Sequence, residues 1–269
     1  MRKSVASCLA TKDKTLIIEV DNAVYALDAS TIDLTLSLFP WAKFRRTKGA
    51  VKLHAMIDLR GNIPVFLTIT DGKIADIKAT PQISIEPEGI YVVDRAYIDF
   101  DWLFNINQAG AFFVTRLKKS IKWTRVISHP VDKFVGLRSD QEILLFSKKS
   151  KTKYPNRLRK VSFRDELQNR TLTFLTNNFS LPAEKIAAIY KARWEIELFF
   201  KWIKQNLKVK AFYGTSPNAV KTQIWIAMIV YLSLAIIKQK YRLSKILLKL
   251  SLKEIAIAIE NRDLIEVKS

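Results

Sequence analysis

Short apolar runs that stop at an aspartate constrain this chain more than any other feature. NAVYALDAS, from Asn22 to Ser30, reads as a buried strand ending at Asp28. GIYVVDRAY, from Gly89 to Tyr97, repeats the pattern and ends at Asp94. Between them VKLHAMIDLRGNIPVFLTIT, Val51 to Thr70, makes two apolar runs around Arg60-Gly61-Asn62, a hairpin signal. DFDWLFNINQAG then reads as a helix, with Asp99 as N-cap and Gly110 as the stop. AFFVTRL, Ala111 to Leu117, is a further strand. Strand, hairpin, strand, helix, strand predicts an α/β sheet with Asp28 and Asp94 at strand ends, where open sheets place their ligands.

The character changes at Lys118. From there to Arg164 the chain holds 14 Lys or Arg and three acids, a net +11. Runs such as WTRVIS, EILLFS and RTLTFLTN predict an all-β insertion in the sheet domain. The whole chain of 269 residues carries a formal net charge of +20, far beyond what solubility requires. Such a balance points to a polyanionic partner, most often nucleic acid. One cysteine, Cys8, excludes an internal disulfide, and two histidines leave no zinc site of the Cys/His type. A bound metal would need oxygen ligands, which suits Mg²⁺ or Mn²⁺.

Helical periodicity begins at Leu181, with Ser180 as cap, Pro182 in the first position and Glu184 in the first turn. One helix is predicted to run to about Lys204–Leu207. A second long helix follows Pro217. It contains the apolar run Ile224 to Ile237, whose 14 residues fall short of the ~20 that span a bilayer. A buried core helix is expected, with no membrane partner. SLKEIAIAIENRDLIEV predicts a short amphipathic helix near the C-terminus. No signal-peptide pattern opens the chain, so a cytoplasmic, nucleoid-associated location is expected.

The first of these helices carries an unusual stripe. At 100° per residue Tyr190, Arg193, Glu197 and Lys204 fall within about 60° of one another. Ile189, Ala192, Ile196, Phe199, Phe200, Ile203 and Leu207 form the neighbouring apolar face. Taken alone, the i,i+4 pairs Arg193–Glu197 and Glu197–Lys201 describe a solvated face, each pair adding ~0.2–0.5 kcal/mol. The spacing Tyr-x2-Arg-x3-Glu-x6-Lys, however, closely resembles the signature of DDE transposases of the insertion-sequence-four family. LDAST (Leu27 to Thr31), the hairpin VKLHAMIDLRGNIP and VVDRAY resemble that family's upstream motifs. The resemblance covers about residues 20 to 225.

The resemblance implies a ribonuclease-H-like core: a mixed sheet with flanking helices, an all-β insertion before the third carboxylate and a helical C-terminus. It implies residues 1–20 as an N-terminal remnant and 21–117 and 179–215 as the two parts of the core. The basic β-rich insertion would occupy 118–178 and the helical C-terminal region 216–269. Asp28, Asp94 and Glu197 become the catalytic and metal-binding carboxylates, holding two Mg²⁺ or Mn²⁺ ions. Tyr190, Arg193 and Lys204 become DNA-contacting residues. The implied activity is cleavage at insertion-sequence ends and strand transfer, on double-stranded DNA, by a homodimer. Two alternatives stay open: an inactive DNA-binding remnant, and a ribonuclease-H-like nuclease without strand transfer. Relatives in this family carry an N-terminal recognition domain, whereas 27 residues precede Asp28 here, so that domain is expected to be largely missing.

Further DNA-binding candidates are Lys201, Arg95 and Trp123. Trp123 opens the insertion and is placed to stack on an extruded base, with a core tryptophan as the competing reading. Lys52 is a weaker phosphate candidate. His54, inside the hairpin, is expected to be packed or hydrogen-bonded rather than catalytic.

Overall fold

The computed structural model describes residues 20–166, 168–206 and 213–240. Leu207, the short helix expected near the C-terminus and the N-terminal remnant lie outside them.

The first strand, β1 (Val24–Leu34), is longer than its apolar run. It lies between β3 (Lys48–Asp58), antiparallel, and β5 (Ile90–Val93), parallel. The parallel pairing stops at Leu27, opposite Val93, while the antiparallel pairing continues to Leu34, opposite Gly49. Asp28 is therefore not at a strand end, as the sequence predicts, but where one of two ladders ends. The hairpin forms as expected: β4 (Ile63–Asp71) returns along β3, and Asn62 adopts a positive φ of 54° in the turn. An Asn tolerates that left-handed backbone better than most residues. A three-residue strand, β2 (Lys43–Arg45), pairs with the start of β3.

Asp99 caps α1 (Phe100–Gln108), its carboxylate accepting from the N–H groups of Asp101 and Trp102. Gly110 ends the segment at φ 71°. Next comes β6 (Phe112–Arg116), parallel to β5. The insertion contributes β7 (Trp123–His129), β8 (Leu137–Leu145) and β9 (Leu158–Asp165), followed by β10 (Arg170–Thr176). The sequence reading missed β9, and a short helix, α2 (Lys148–Lys153), stands among these strands. All ten described strands join one mixed sheet, ordered β2-β3-β1-β5-β6-β10-β9-β8-β7 with β4 also on β3. An antiparallel group leading into two parallel strands is the ribonuclease-H-like arrangement that was expected.

Strand alternation sorts the core into two layers. Val24 and Ala26 face α3 (Ala183–Ala192), α4 (Trp194–Asn206) and α5 (Pro217–Lys240), while Tyr25 and Leu27 face α1. The short helix α2 belongs to the α1 layer, with Lys153 ion-paired to Asp101 and Tyr154 edge-on to Phe104 at 5.4 Å. The lysines of α2 thus sit on the far side of the sheet from α4.

Where one helix was predicted from Leu181 to about Lys204–Leu207, the chain forms two. The N-cap position falls on Pro182, not Ser180, with no side-chain cap; Asn178 Oδ1 accepts from the N–H groups of Ser180 and Leu181 in the turn leading in. The break falls at Arg193, where Arg193 N–H bonds Tyr190 O and Ile196 N–H bonds Arg193 O. These are tightened i→i+3 bonds, and such a mid-helix turn often marks a functional site. No glycine or proline stands there to signal it.

α5 is only partly the core helix expected. Its stretch Pro217–Ile237 has 21 residues of mean hydropathy 1.8 and is long and apolar enough to cross a membrane, with 33% buried. One side packs through Val220, Ile224, Met228 and Tyr231 against α4 and the sheet. Its other side leaves Trp225, Ile226, Ile229 and Ile236 exposed. Tyr231 donates to Asn62 O at 3.1 Å, and Asn62 Nδ2 donates to Glu195 at 2.8 Å, so the hairpin tip ties α5 to α4.

Candidate active site

Adjacent strands and one register step create the site. Leu27 pairs with Val93, so the residues that follow lie side by side: Asp28, still within β1, and Asp94, just past the end of β5. Alternation turns both toward the α3–α4 layer, because Ala26 and Val92 already face it. Glu197 approaches from the first turn of α4.

The helix break aims the stripe. Tyr190, the third-last residue of α3, is buried against Phe174 with ring centroids 5.1 Å apart. Its hydroxyl reaches Asp94 Oδ1 across a long 3.4 Å. Arg193, in the break, donates from Nη1 to Asp28 Oδ2 at 2.7 Å and from Nη2 to Glu197 Oε1. One guanidinium therefore bridges two of the three carboxylates. Its side chain is 14% exposed, against 19% for Asp28 and 35% for Glu197. Its Nε is buried without a partner.

Electrostatics follow from this burial. Desolvation pushes the Asp28 carboxyl up to about 6, although Arg193 and the Ala29 N–H both pull the other way. Nearby Asp94 and Glu197 add to the rise. Burial works against the Arg193 charge, but Asp28, Tyr190 and Glu197 together hold its pKa above the ordinary value. Burial also raises the Tyr190 hydroxyl, so it stays a neutral donor.

Asp28 and Glu197 open onto a pocket of about 410 Å³ that is also lined by Ser30, Phe200, Lys201, Lys204 and Gln205. Two acids and two lysines thus share its lining. Ser30 and Gln205 were not singled out in the sequence. Both follow simple spacing: Ser30 is two residues beyond Asp28 on a strand, and Gln205 is four beyond Lys201 on a helix.

The remaining candidates are not gathered there. Arg95 is exposed, in a 3₁₀ turn directly after Asp94. Trp123 is half-buried against the α1-side core, and the Lys160 ammonium covers one ring face at 4.6 Å. That face is already taken by a cation–π contact. Lys52 is paired with Asp76 at 2.8 Å. His54 is buried, its Nε2 hydrogen-bonded with Thr70 Oγ1 at 2.8 Å, and burial lowers its pKa. By alternation it faces the side opposite Asp28.

Fold and site together define a class: an α/β protein with a ribonuclease-H-like sheet that collects acidic side chains beside lysines. Comparison with known sequences narrows this. Residues 21–233 match the family model described as the transposase DDE domain, and the chain belongs to that family. It is 34% identical over 247 residues to a protein of Sinorhizobium fredii named as transposase y4zB, covering 90% of this chain and 68% of that one. It is 30% identical over 210 residues to a Geobacillus stearothermophilus protein named as a transposase for insertion sequence element IS5377, covering 77% of this chain and 55% of that one. Among solved structures, a piggyBac transposase synaptic complex with hairpin DNA aligns at a TM-score of 0.45 and 12% identity, over 82% of this chain and 49% of the other. The chain thus spans from about half to two thirds of the length of these curated relatives.

Proposed function

We propose that this chain is the catalytic part of an insertion-sequence-four transposase, cutting double-stranded DNA at element ends and joining the freed 3′-hydroxyl to a target. The observation that carries the reading is one pocket lined by Asp28, Glu197, Lys201 and Lys204, with Asp94 beside it. Asp28, Asp94 and Glu197 are the proposed catalytic carboxylates. Lys201 and Lys204 hold backbone phosphates, leaving the scissile phosphate over the acids. Tyr190 steadies Asp94, and Arg193 orients Asp28 and Glu197. Arg95, exposed directly after Asp94, extends the path of the duplex. The protein acts as a dimer on DNA in the cytoplasm.

The donor set fits Mg²⁺ or Mn²⁺ in chemistry, since all three groups are hard oxygen ligands. Two of them already converge on one cationic group, Arg193. Among the described residues no three Asp, Glu, His or Cys side chains close together as a cation cage. Asp28, Asp94 and Glu197 would hold the ion. When bound, it would activate water and stabilise the leaving oxygen.

The test is incubation of the chain with duplex carrying the element's terminus, in Mg²⁺. Nicks at the terminus and joined products are expected. Nicking without joining would favour the nuclease alternative, and neither would favour the inactive remnant.

Two further outcomes follow. Each phosphate contact contributes about 0.9 to the slope of log affinity against log salt. Lys201→Glu with Lys204→Glu is therefore expected to weaken duplex binding and flatten that slope by roughly two. An unchanged slope would mean that these lysines face only solvent.

The second concerns pH. The Asp28 carboxyl, at about 6, takes up a proton well above the ordinary range. Its folded pKa is raised, so what it contributes to stability is complete below the unfolded value near 3.8 and is lost as pH rises through about 6. Cation binding requires the opposite, ionised form. Mn²⁺ affinity is expected to fall as pH drops through about 6, and Asp28→Asn should bind Mn²⁺ poorly at every pH. Affinity that stays flat down to pH near 4 would exclude Asp28 as the titrating ligand.

A further inference from the structure

We infer that Arg193 is a built-in competitor for the divalent ion, and that DNA, by drawing its guanidinium onto a phosphate, frees Asp28 and Glu197 to take metal. This rests on the proposed role of those carboxylates. The argument is geometric. Arg193 Nη1 binds Asp28 Oδ2 and Nη2 binds Glu197 Oε1, so it holds two of the three carboxylates that would hold a cation. Asp28 Oδ1 is separately engaged by the Ala29 N–H at 2.8 Å, so Oδ2 is the oxygen that Arg193 controls. A planar guanidinium bridging two carboxylates by charge-assisted bonds competes with a divalent ion for their negative charge, and the two cations repel each other at that distance.

Three features make the guanidinium able to move. It sits in the tightened turn between α3 and α4 rather than inside a helix. Its Nε is buried without a hydrogen-bond partner, so the present seat leaves one donor unused. The pocket beside it is open and already flanked by Lys201 and Lys204, which would bring a phosphate within reach. Guanidinium binds phosphate in the same two-pronged manner as it binds carboxylate. A phosphate that accepts Arg193 leaves two unpaired acids behind it, and a metal that takes those acids releases Arg193. The coupling is reciprocal by linkage.

The test reads Mn²⁺ binding from the electron paramagnetic resonance signal of the free ion. It uses the full chain and Arg193→Gln, Arg193→Lys, Lys204→Gln and Asp28→Asn, each alone and with duplex. Without DNA, Arg193→Gln is expected to bind Mn²⁺ about ten-fold more tightly than the parent, with Arg193→Lys between them. Lys204→Gln removes a charge from the same pocket without touching the acids and should change the affinity by less than about three-fold. Duplex should tighten Mn²⁺ binding in the parent and do so much less in Arg193→Gln. Mn²⁺ should also raise the melting temperature of Arg193→Gln more than that of the parent.

Equal Mn²⁺ affinity in the parent and Arg193→Gln overturns the inference. So does an equal gain in Lys204→Gln, which would reduce the effect to net charge. Should Arg193→Gln fail to fold, Arg193→Lys decides, and parental affinity there overturns it as well. Asp28→Asn separates the two readings. If it leaves Mn²⁺ binding intact, the assignment of the metal site fails. If it abolishes Mn²⁺ binding while Arg193→Gln gains nothing, only the competition fails.

Discussion

Replacing Glu197 by glutamine is expected to lower metal-dependent DNA nicking by about 10³-fold or more while leaving the fold in place. Asp28→Asn and Asp94→Asn should do the same. The amide is nearly isosteric with the acid, so packing is preserved, but the anionic oxygen that would ligate a cation is gone. Glu197→Gln keeps the fold, because the side chain is 35% exposed and lines the open pocket. Asp28→Asn should also keep its melting temperature near neutral pH, because burial already disfavours the Asp28 charge even beside Arg193. Nicking and thermal melting are to be measured on the same preparations. Nicking by Glu197→Gln near the parental rate would remove Glu197 from the site. A collapse of melting alongside activity would make the residue structural instead.

A second large effect is expected far from the pocket. Arg159 and Asp140, both buried, pair two strands of the insertion through Nε–Oδ1 at 2.9 Å and Nη2–Oδ2 at 2.7 Å. The remaining Nη1 donates to Leu181 O at 2.6 Å and Asn178 O at 3.2 Å, at the entry to α3. One guanidinium thus fastens β8 and β9 to the turn that launches the helix bearing Tyr190. Removing one partner leaves a buried charge without compensation, which typically costs ~3–5 kcal/mol. Arg159→Ala and Asp140→Ala should each lower the melting temperature by roughly 10 °C in a domain of this size. Replacing both by leucine should cost less than the sum of the two, because no charge is then stranded. A loss under about 1 kcal/mol for Arg159→Ala would show that water reaches the pair. The same variant should also misplace α3, so a drop in nicking larger than the fraction unfolded would show that the insertion positions the site.

Much of this protein was legible in its residues because the signals are local. Asp94 follows four apolar residues, the hairpin turns at Arg60-Gly61-Asn62, Asp99 caps α1, and a helix begins at Pro217. Each depends on neighbours within a turn or two, where propensity and periodicity act. The stripe follows from helical spacing, and the three carboxylates are named through the family resemblance that the stripe and the strand motifs carry.

Other features depend on contacts between residues distant in sequence. Asp28 was placed at a strand end because the apolar run stops there, yet β1 continues to Leu34, because β3 goes on pairing with it after β5 has stopped. The break at Arg193 carries no glycine or proline, and the stripe that looked like one helical face is shared between α3 and α4. Arg193 is held there by Asp28, 165 residues earlier in the chain, and by Glu197. β7, β8 and β10 are legible as strands, but nothing local marks β9, or says that these strands extend the core sheet or that Lys160 covers Trp123. Sequence alone determined which acids, bases and apolar faces exist and in what order. Tertiary structure decided which of them meet, because strand register and the pairing of buried charges are settled only when distant segments leave water together.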